Sequence, residues 1–112
     1  MIKLSVIGTR DFTNLKLLTA ELAKENPSVL VVGGKEGPDQ LAQEYGLDMD
    51  IPTQVFLPDY PLHGRSANYQ RNLEMIRNSN LIIIFWNQQS RSPFNYLPYI
   101  KELKKKFRTV LY

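Results

Sequence analysis

Cysteine is absent from this 112-residue chain, and histidine occurs once, at His63. Without thiols there is no disulfide scaffold and no cysteine-ligated metal, and a single imidazole cannot assemble a zinc constellation. No apolar run approaches the roughly 18 residues of a membrane helix, and the opening MIKLSVIGTRDF is too short in apolar character for a signal segment. Missing too is any Ser/Gly-rich or low-complexity stretch that would mark a linker. These absences exclude disulfide-rich secreted modules, zinc domains and membrane partners. They point to one domain over residues 1–112, held in a reducing cytoplasm with no metal and no resident cofactor.

What is present is an ordinary globular balance, 43% hydrophobic and 22% charged, with a formal net charge of +3. That length suffices for a conventional core. Much of the basic excess sits in Lys101 to Arg108, KELKKKFR. Those cations fit a solvated face complementing the carboxyl end of a last helix; nucleic-acid binding is the alternative.

Apolar periodicity orders the chain. Ile2 to Ile7 reads as a buried strand ending at Gly8, and Thr13 as the N-cap of a helix carrying Leu15, Leu18 and Leu22 up to Asn26-Pro27. Val29 to Val32 is a second strand. A second helix with Pro38 in its first turn presents Leu41, Ala42 and Tyr45 on one face and ends between Gly46 and Asp50. Thr53 to Leu57 is a third strand between Pro52 and Pro58, the loop DYPLHG follows, and Tyr69, Leu73 and Ile76 mark a third helix. Leu81 to Trp86, LIIIFW, is too uniformly apolar to be half-exposed and predicts a central strand. A helix from about Pro93 to Lys106 and a strand from Thr109 to Leu111 close the alternation. The class is α/β: a Rossmann-like, doubly wound, mainly parallel five-stranded sheet with helices on both faces.

In such sheets ligands lie beyond the carboxyl ends of the strands, where strand order reverses. The loops that count are therefore Gly8-Thr9-Arg10, Gly33 to Asp39, Asp59 to Arg65 and Asn87 to Ser92. The second breaks a buried strand into Gly33, Gly34 and Gly37 before a helix N-terminus, a way to bring backbone N–H groups and a helix dipole to a phosphate. It matches neither the Walker nor the dinucleotide GxGxxG pattern, and a ligand-free tight turn would look similar. Asp39 either complements the helix N-terminus or accepts from a ribose hydroxyl; Arg10 is a surface cation or a phosphate fork. Arg65, Asn68 and Asn72 share a helix face with Arg71 beside them, a pattern a solvated face also produces. Trp86 caps the core or stacks on a base, with aromatic burial the commoner role. Asn87, Gln88, Gln89 and Ser90 add uncharged hydrogen-bonding groups, and His63 reads as a bystander. No nucleophile and base can be paired.

With these residues placed, the chain resembles the SLOG superfamily of DNA-processing and LOG-like Rossmann proteins, and within it the small YspA-like family. VIGTRDF resembles an opening IGSRxF, VVGGKEGPDQLAQEYG a GGAxGxDxLAxxYA, and HGRSANYQRNLEMI a GRxAGxxRNxxM; LIIIFWNQQS is similar to its strand ending in an aromatic and a polar loop. The likeness runs nearly end to end. It implies binding of nucleotide derivatives, NAD-derived signals such as ADP-ribose among them, at Gly8, Thr9, Arg10, Gly33, Gly34, Gly37, Asp39, Arg65, Arg71, Asn72, Trp86, Asn87 and Ser90, and a homo-oligomer.

Two departures bear on activity. Where relatives carry Gly-Thr after the fourth strand this chain has Ser92-Pro93, and Pro93 donates no N–H. The phosphoribohydrolases of the superfamily place a catalytic glutamate in a PGGxGTxxE pattern; the corresponding SRSPFNYLPY has no acid before Glu102, although Arg71 resembles their catalytic arginine. The leading expectation is thus a nucleotide-binding protein, a sensor or sequestering module of the kind used in phage–bacterium conflict. A hydrolase of N-glycosidic or phosphate bonds using Arg71 and Asp39 is the alternative, and nucleic-acid binding through Lys104 to Arg108 the third. Phe94 to Tyr99, FNYLPY, is the candidate oligomer surface, with core packing accounting for some of its apolar content.

Overall fold

The computed structural model describes residues 1–34 and 37–112; Lys35 and Glu36, in the glycine-rich turn, lie outside the described residues. In chain order the elements are β1 (Lys3–Gly8), α1 (Leu15–Glu25), β2 (Val29–Val32), α2 (Pro38–Asp48), β3 (Thr53–Val55), α3 (Tyr60–His63), α4 (Ala67–Arg77), β4 (Leu81–Trp86), α5 (Leu97–Glu102) and β5 (Lys106–Leu111). Short 3₁₀ turns span Gly64–Ser66 and Ser92–Tyr96. The strands form one sheet in the order β3-β2-β1-β4-β5, with every pairing parallel.

Period-two alternation distributes the apolar strand residues to two cores. Leu4, Val6, Leu30, Val32, Ile83 and Phe85 meet Leu18 and Leu22 of α1 and Ala42 and Tyr45 of α2 on one face. Ile7, Ile82 and Ile84 meet Ile76 of α4, Ile100 of α5 and Tyr96 on the other. Helices therefore cover both faces, as doubly wound sheets require. The chain starts at β1, winds outward to β3, then crosses the sheet through α4 to β4, so the winding reverses between β1 and β4.

Several expected boundaries shift. Asn14, not Thr13, caps α1: its side chain accepts from the Leu17 N–H at 3.0 Å, and Leu15 points to solvent while Leu18 and Leu22 are fully buried. DYPLHG is a capped helical turn rather than a loop, because the Asp59 carboxylate accepts from the Leu62 N–H at 3.1 Å. β3 ends at Val55, two residues before Leu57. The helix expected from Pro93 to Lys106 is instead a 3₁₀ turn followed by six residues of α5, broken at Lys104 with φ at 56°. β5 begins correspondingly early, at Lys106 opposite Leu81.

Arg108 explains that early start. Its Nη1 donates to Glu21 Oε2 at 2.6 Å and its Nε to Glu25 Oε1 at 2.9 Å, pinning β5 to α1. The basic segment is thereby divided among the end of α5, a turn and a strand, and does not form one helical face.

One glycine sets the spacing at the reversal point. A Cβ on Gly8 would lie 2.6 Å from Pro38 Cγ and 2.9 Å from the Phe85 carbonyl oxygen, so the start of α2 docks directly on the end of β1. Gly8→Ala is expected to cost about 1–3 kcal/mol through overpacking, read as a lower urea midpoint with an unchanged slope.

Candidate functional site

At the carboxyl ends of β1 and β4 lies a polar cavity of about 240 Å³ lined by Val6, Ile7, Gly8, Thr9, Arg10, Asp39, Asn68, Arg71, Asn72, Ser92 and Tyr96. This is the position open α/β sheets reserve for ligands. Each wall comes from a different element. The β1–α1 turn supplies Thr9 and Arg10, α2 supplies Asp39, α4 supplies Asn68, Arg71 and Asn72 at helical spacing, and the 3₁₀ turn after β4 supplies Ser92 and Tyr96.

The glycines work from behind the cavity. Gly37 has φ at 84°, and a Cβ there would sit 2.7 Å from the Thr9 carbonyl oxygen, so the α2 N-terminus packs flat on the β1 turn. Gly34, with φ at 73°, lies under Val55 and Leu57. A Cβ on Gly33 would fall 2.6 Å from Arg71 Cζ and 2.7 Å from Asp39 Oδ2, so the missing side chain is what lets the guanidinium and the carboxylate converge over the end of β2.

Arg71 is only 5% exposed, and most of its fork is engaged within the protein. Nη1 donates to the Gly33 carbonyl at 2.6 Å and Nε to Asn72 Oδ1 at 2.7 Å. Asn72 Nδ2 in turn donates to the Tyr96 hydroxyl at 2.8 Å, and the Tyr96 ring stacks on Tyr69 with centroids 5.5 Å apart. Burial pushes the Tyr96 hydroxyl above its ordinary pKa, the Asn72 hydrogen bond opposing that shift. The group stays neutral and keeps its own proton for donation. Arg10, by contrast, is exposed at the rim.

A second cluster braces the same end of the sheet and meets the cavity only through Thr9. The Thr9 hydroxyl donates to Asp11 and lies 2.7 Å from the Tyr112 hydroxyl, which itself donates to Asp11 Oδ1 at 2.6 Å. Asn87 Nδ2 donates to Asp11 Oδ2 at 2.9 Å, while Asn87 Oδ1 accepts from the Gln89 and Ser90 N–H groups. Trp86 Nε1 donates to the Ser90 carbonyl at 2.7 Å, and its ring meets Phe94 edge-on. Hydrogen bonds from Thr9, Tyr112 and Asn87 lower the Asp11 pKa to about 2 from 3.8.

The structure thus gathers Gly8, Thr9, Arg10, Asp39, Arg71 and Asn72 around the cavity, with Gly33, Gly34 and Gly37 behind them. Arg65 lies in the exposed 3₁₀ turn ahead of α4, and Trp86, Asn87 and Ser90 organise their own loop; none of these four lines the cavity. Sequence reasoning missed Tyr96, assigned to the oligomer surface as part of FNYLPY; Ser92 fell within the strand-end loop Asn87 to Ser92, though it stands where relatives carry a glycine. A shorter helix after β4 would have left Tyr96 in that loop as well. Among the described residues no cluster of His, Cys, Asp and Glu is disposed to hold a metal, and no helix is long and apolar enough to cross a membrane.

The chain matches no protein-family model, no curated protein and no solved structure, so the site is read from its own geometry.

Two outcomes test this construction. The Asp11 carboxylate, depressed in the folded state, stabilises the protein above its unfolded value and loses that contribution as pH falls from about 4 towards about 2. Asp11→Asn should flatten this acid limb when Trp86 fluorescence is followed against pH. Arg71→Ala strands the Gly33 carbonyl and the Asn72 side chain, and should cost about 1–3 kcal/mol in urea denaturation.

Proposed function

We propose that the protein binds a nucleotide or an NAD-derived nucleotide and returns it intact, as a sensor or sequestering module. The supporting observation is the composition of the cavity at the β1/β4 reversal: one rim arginine, a carboxylate beside a helix N-terminus, and neutral hydrogen-bonding groups from Asn68, Asn72, Ser92 and Tyr96. Arg10 suits a phosphate through charge-assisted hydrogen bonds, and Asp39 suits a ribose diol, which offers two O–H donors to a carboxylate. At about 240 Å³ the cavity falls below the roughly 300–1,000 Å³ typical of sites enclosing a whole drug-sized ligand, and so matches a ribose phosphate better than a complete nucleotide.

Turnover has less support. Asp39 is the only carboxylate among the described residues lining the cavity, and Arg71 spends Nη1 and Nε on Gly33 and Asn72. A nucleic-acid role through Lys104 to Arg108 is also weakened. Arg108 is paired with Glu21 and Glu25, Lys105 Nζ donates to the Arg77 carbonyl, and Lys106 sits at the amino ends of the strands, opposite the cavity. Homo-oligomerisation through Phe94 to Tyr99 remains part of the proposal only in its exposed members, Phe94 among them, because Tyr96 is buried.

Calorimetric titration with AMP, ADP and ADP-ribose, followed by mass spectrometry of the recovered ligand, tests the reading. Saturable binding with the ligand unchanged is expected. Arg10→Ala should weaken it about 10- to 100-fold, the worth of one charge-assisted hydrogen bond. A cleaved product would establish the hydrolase alternative, and no heat with any nucleotide at millimolar concentration would overturn the proposal.

A further inference from the structure

Beside the first cavity lies a second, of about 430 Å³, between α3 and the face of α4 turned towards β3, and Arg71 lines both. Arg71 crosses from α4 over the ends of two strands, bonded to the Gly33 carbonyl beyond β2 and approaching the Phe56 carbonyl beyond β3 at 3.5 Å. The guanidinium therefore borders two neighbouring spaces, and the second runs from the α3 turn along α4 as far as Arg77.

The second space has a different chemistry. Leu57 and Leu62 stand at it, each 71% exposed. Single exposed leucines are ordinary surface, but here two flank one concavity. To the same lining α4 adds Gln70, Glu74 and Arg77 and α3 adds His63, and neither the Gln70 nor the Glu74 side chain makes a hydrogen bond within the protein among the described residues. Asp59, also in the lining, spends one carboxylate oxygen on the Leu62 N–H and so holds the α3 turn, with Leu62, in place. Two aliphatic walls over an uncommitted carboxylate and amide suit a flat heterocycle that presents N–H groups at its edge.

We infer that this second cavity is the base subsite of the same crevice, and that it takes adenine against Leu57 and Leu62, with Glu74 accepting from the C6 amine. The inference rests on the proposed nucleotide binding and deepens it. It also accounts for the size of the first cavity, which has room for the ribose phosphate alone. Adenine carries its exocyclic amine at C6; guanine and hypoxanthine carry a carbonyl oxygen at that position, and in the same pose that oxygen would face the Glu74 carboxylate. Gln70, able to donate or accept, suits the ring nitrogen beside the amine.

The test uses the whole protein and four probes: ribose 5-phosphate, AMP, GMP and IMP, titrated calorimetrically into wild type, Leu62→Ala and Glu74→Gln. Both substitutions lie at exposed positions and leave the two cores untouched. Wild type should bind AMP about tenfold or more above ribose 5-phosphate, and GMP and IMP about tenfold below AMP. Glu74→Gln, whose amide can donate to the C6 carbonyl oxygen, should erase the difference between AMP and IMP. Leu62→Ala should weaken AMP several-fold, and in both variants ribose 5-phosphate affinity should stay unchanged.

If ribose 5-phosphate binds as tightly as AMP, or if neither variant alters the ranking, the base lies elsewhere and the inference falls while nucleotide binding stands. A change in oligomeric state of Leu62→Ala with unaltered nucleotide affinity would mark the leucines as a protein interface and overturn it equally. Failure of all four probes to bind would remove both readings together.

Discussion

A guanidinium lies buried at the end of the sheet, and the arrangement of the site follows from how that charge is accommodated. An unpaired buried cation is costly, so its N–H groups must find acceptors. Arg71 finds them in the Gly33 carbonyl and in Asn72, and Asn72 passes the connection to Tyr96. One hydrogen-bonded line thus joins the end of β2, the middle of α4 and the turn after β4. The absence of a side chain at Gly33 makes the line possible, because a Cβ there would overlap the guanidinium. Elements far apart in sequence are held in register at the end of the sheet where the winding reverses.

The parts of this arrangement set by local composition were legible in the sequence. β2 and β4 occupy the ranges their uninterrupted Val, Leu and Ile runs predicted, and the alternation of elements gave the parallel doubly wound sheet. Glycines marked where chain segments approach one another, at Gly8, Gly33 and Gly37. What escaped was decided at a distance. β5 reads as polar because Lys106 and Arg108 alternate with Phe107 and Thr109; only the carboxylates of Glu21 and Glu25, on a helix more than eighty positions away, make Arg108 acceptable in a strand. Tyr96 was read as surface because nothing local reveals that Asn72 and Tyr69 would receive it. The helical turn at Tyr60–His63 was hidden for a different reason: Pro58 and Pro61 suggest a loop until the Asp59 cap is recognised.

Charge is partitioned between the two ends of the sheet. At the carboxyl ends Arg10 stands at the cavity rim among neutral donors and acceptors, and Asp11 is absorbed by Thr9, Tyr112 and Asn87. At the amino ends Lys104, Lys105 and Lys106 gather beside Ile2 and Leu81. The net positive charge of the chain is consequently a poor guide to its ligand, since the Lys104 to Lys106 cluster lies away from the cavity. Residues that do meet in the cavity are largely uncharged, which favours selection by hydrogen-bond geometry over attraction of any anion.

The two borders of the sheet carry a consequence of their own. Any strand at a border offers an open row of main-chain groups to a stranger's strand. Here β3 is three residues long, hemmed by Pro52 before it and Pro58 soon after, and β5 bears Lys106 and Arg108 along its length. A foreign chain laid against either side would meet too few bonding positions at one and buried or repelling cations at the other. Crowding at high concentration is therefore resisted by the outline of the sheet itself, and copies of this protein that do associate must meet through side chains and not by extending the ladder.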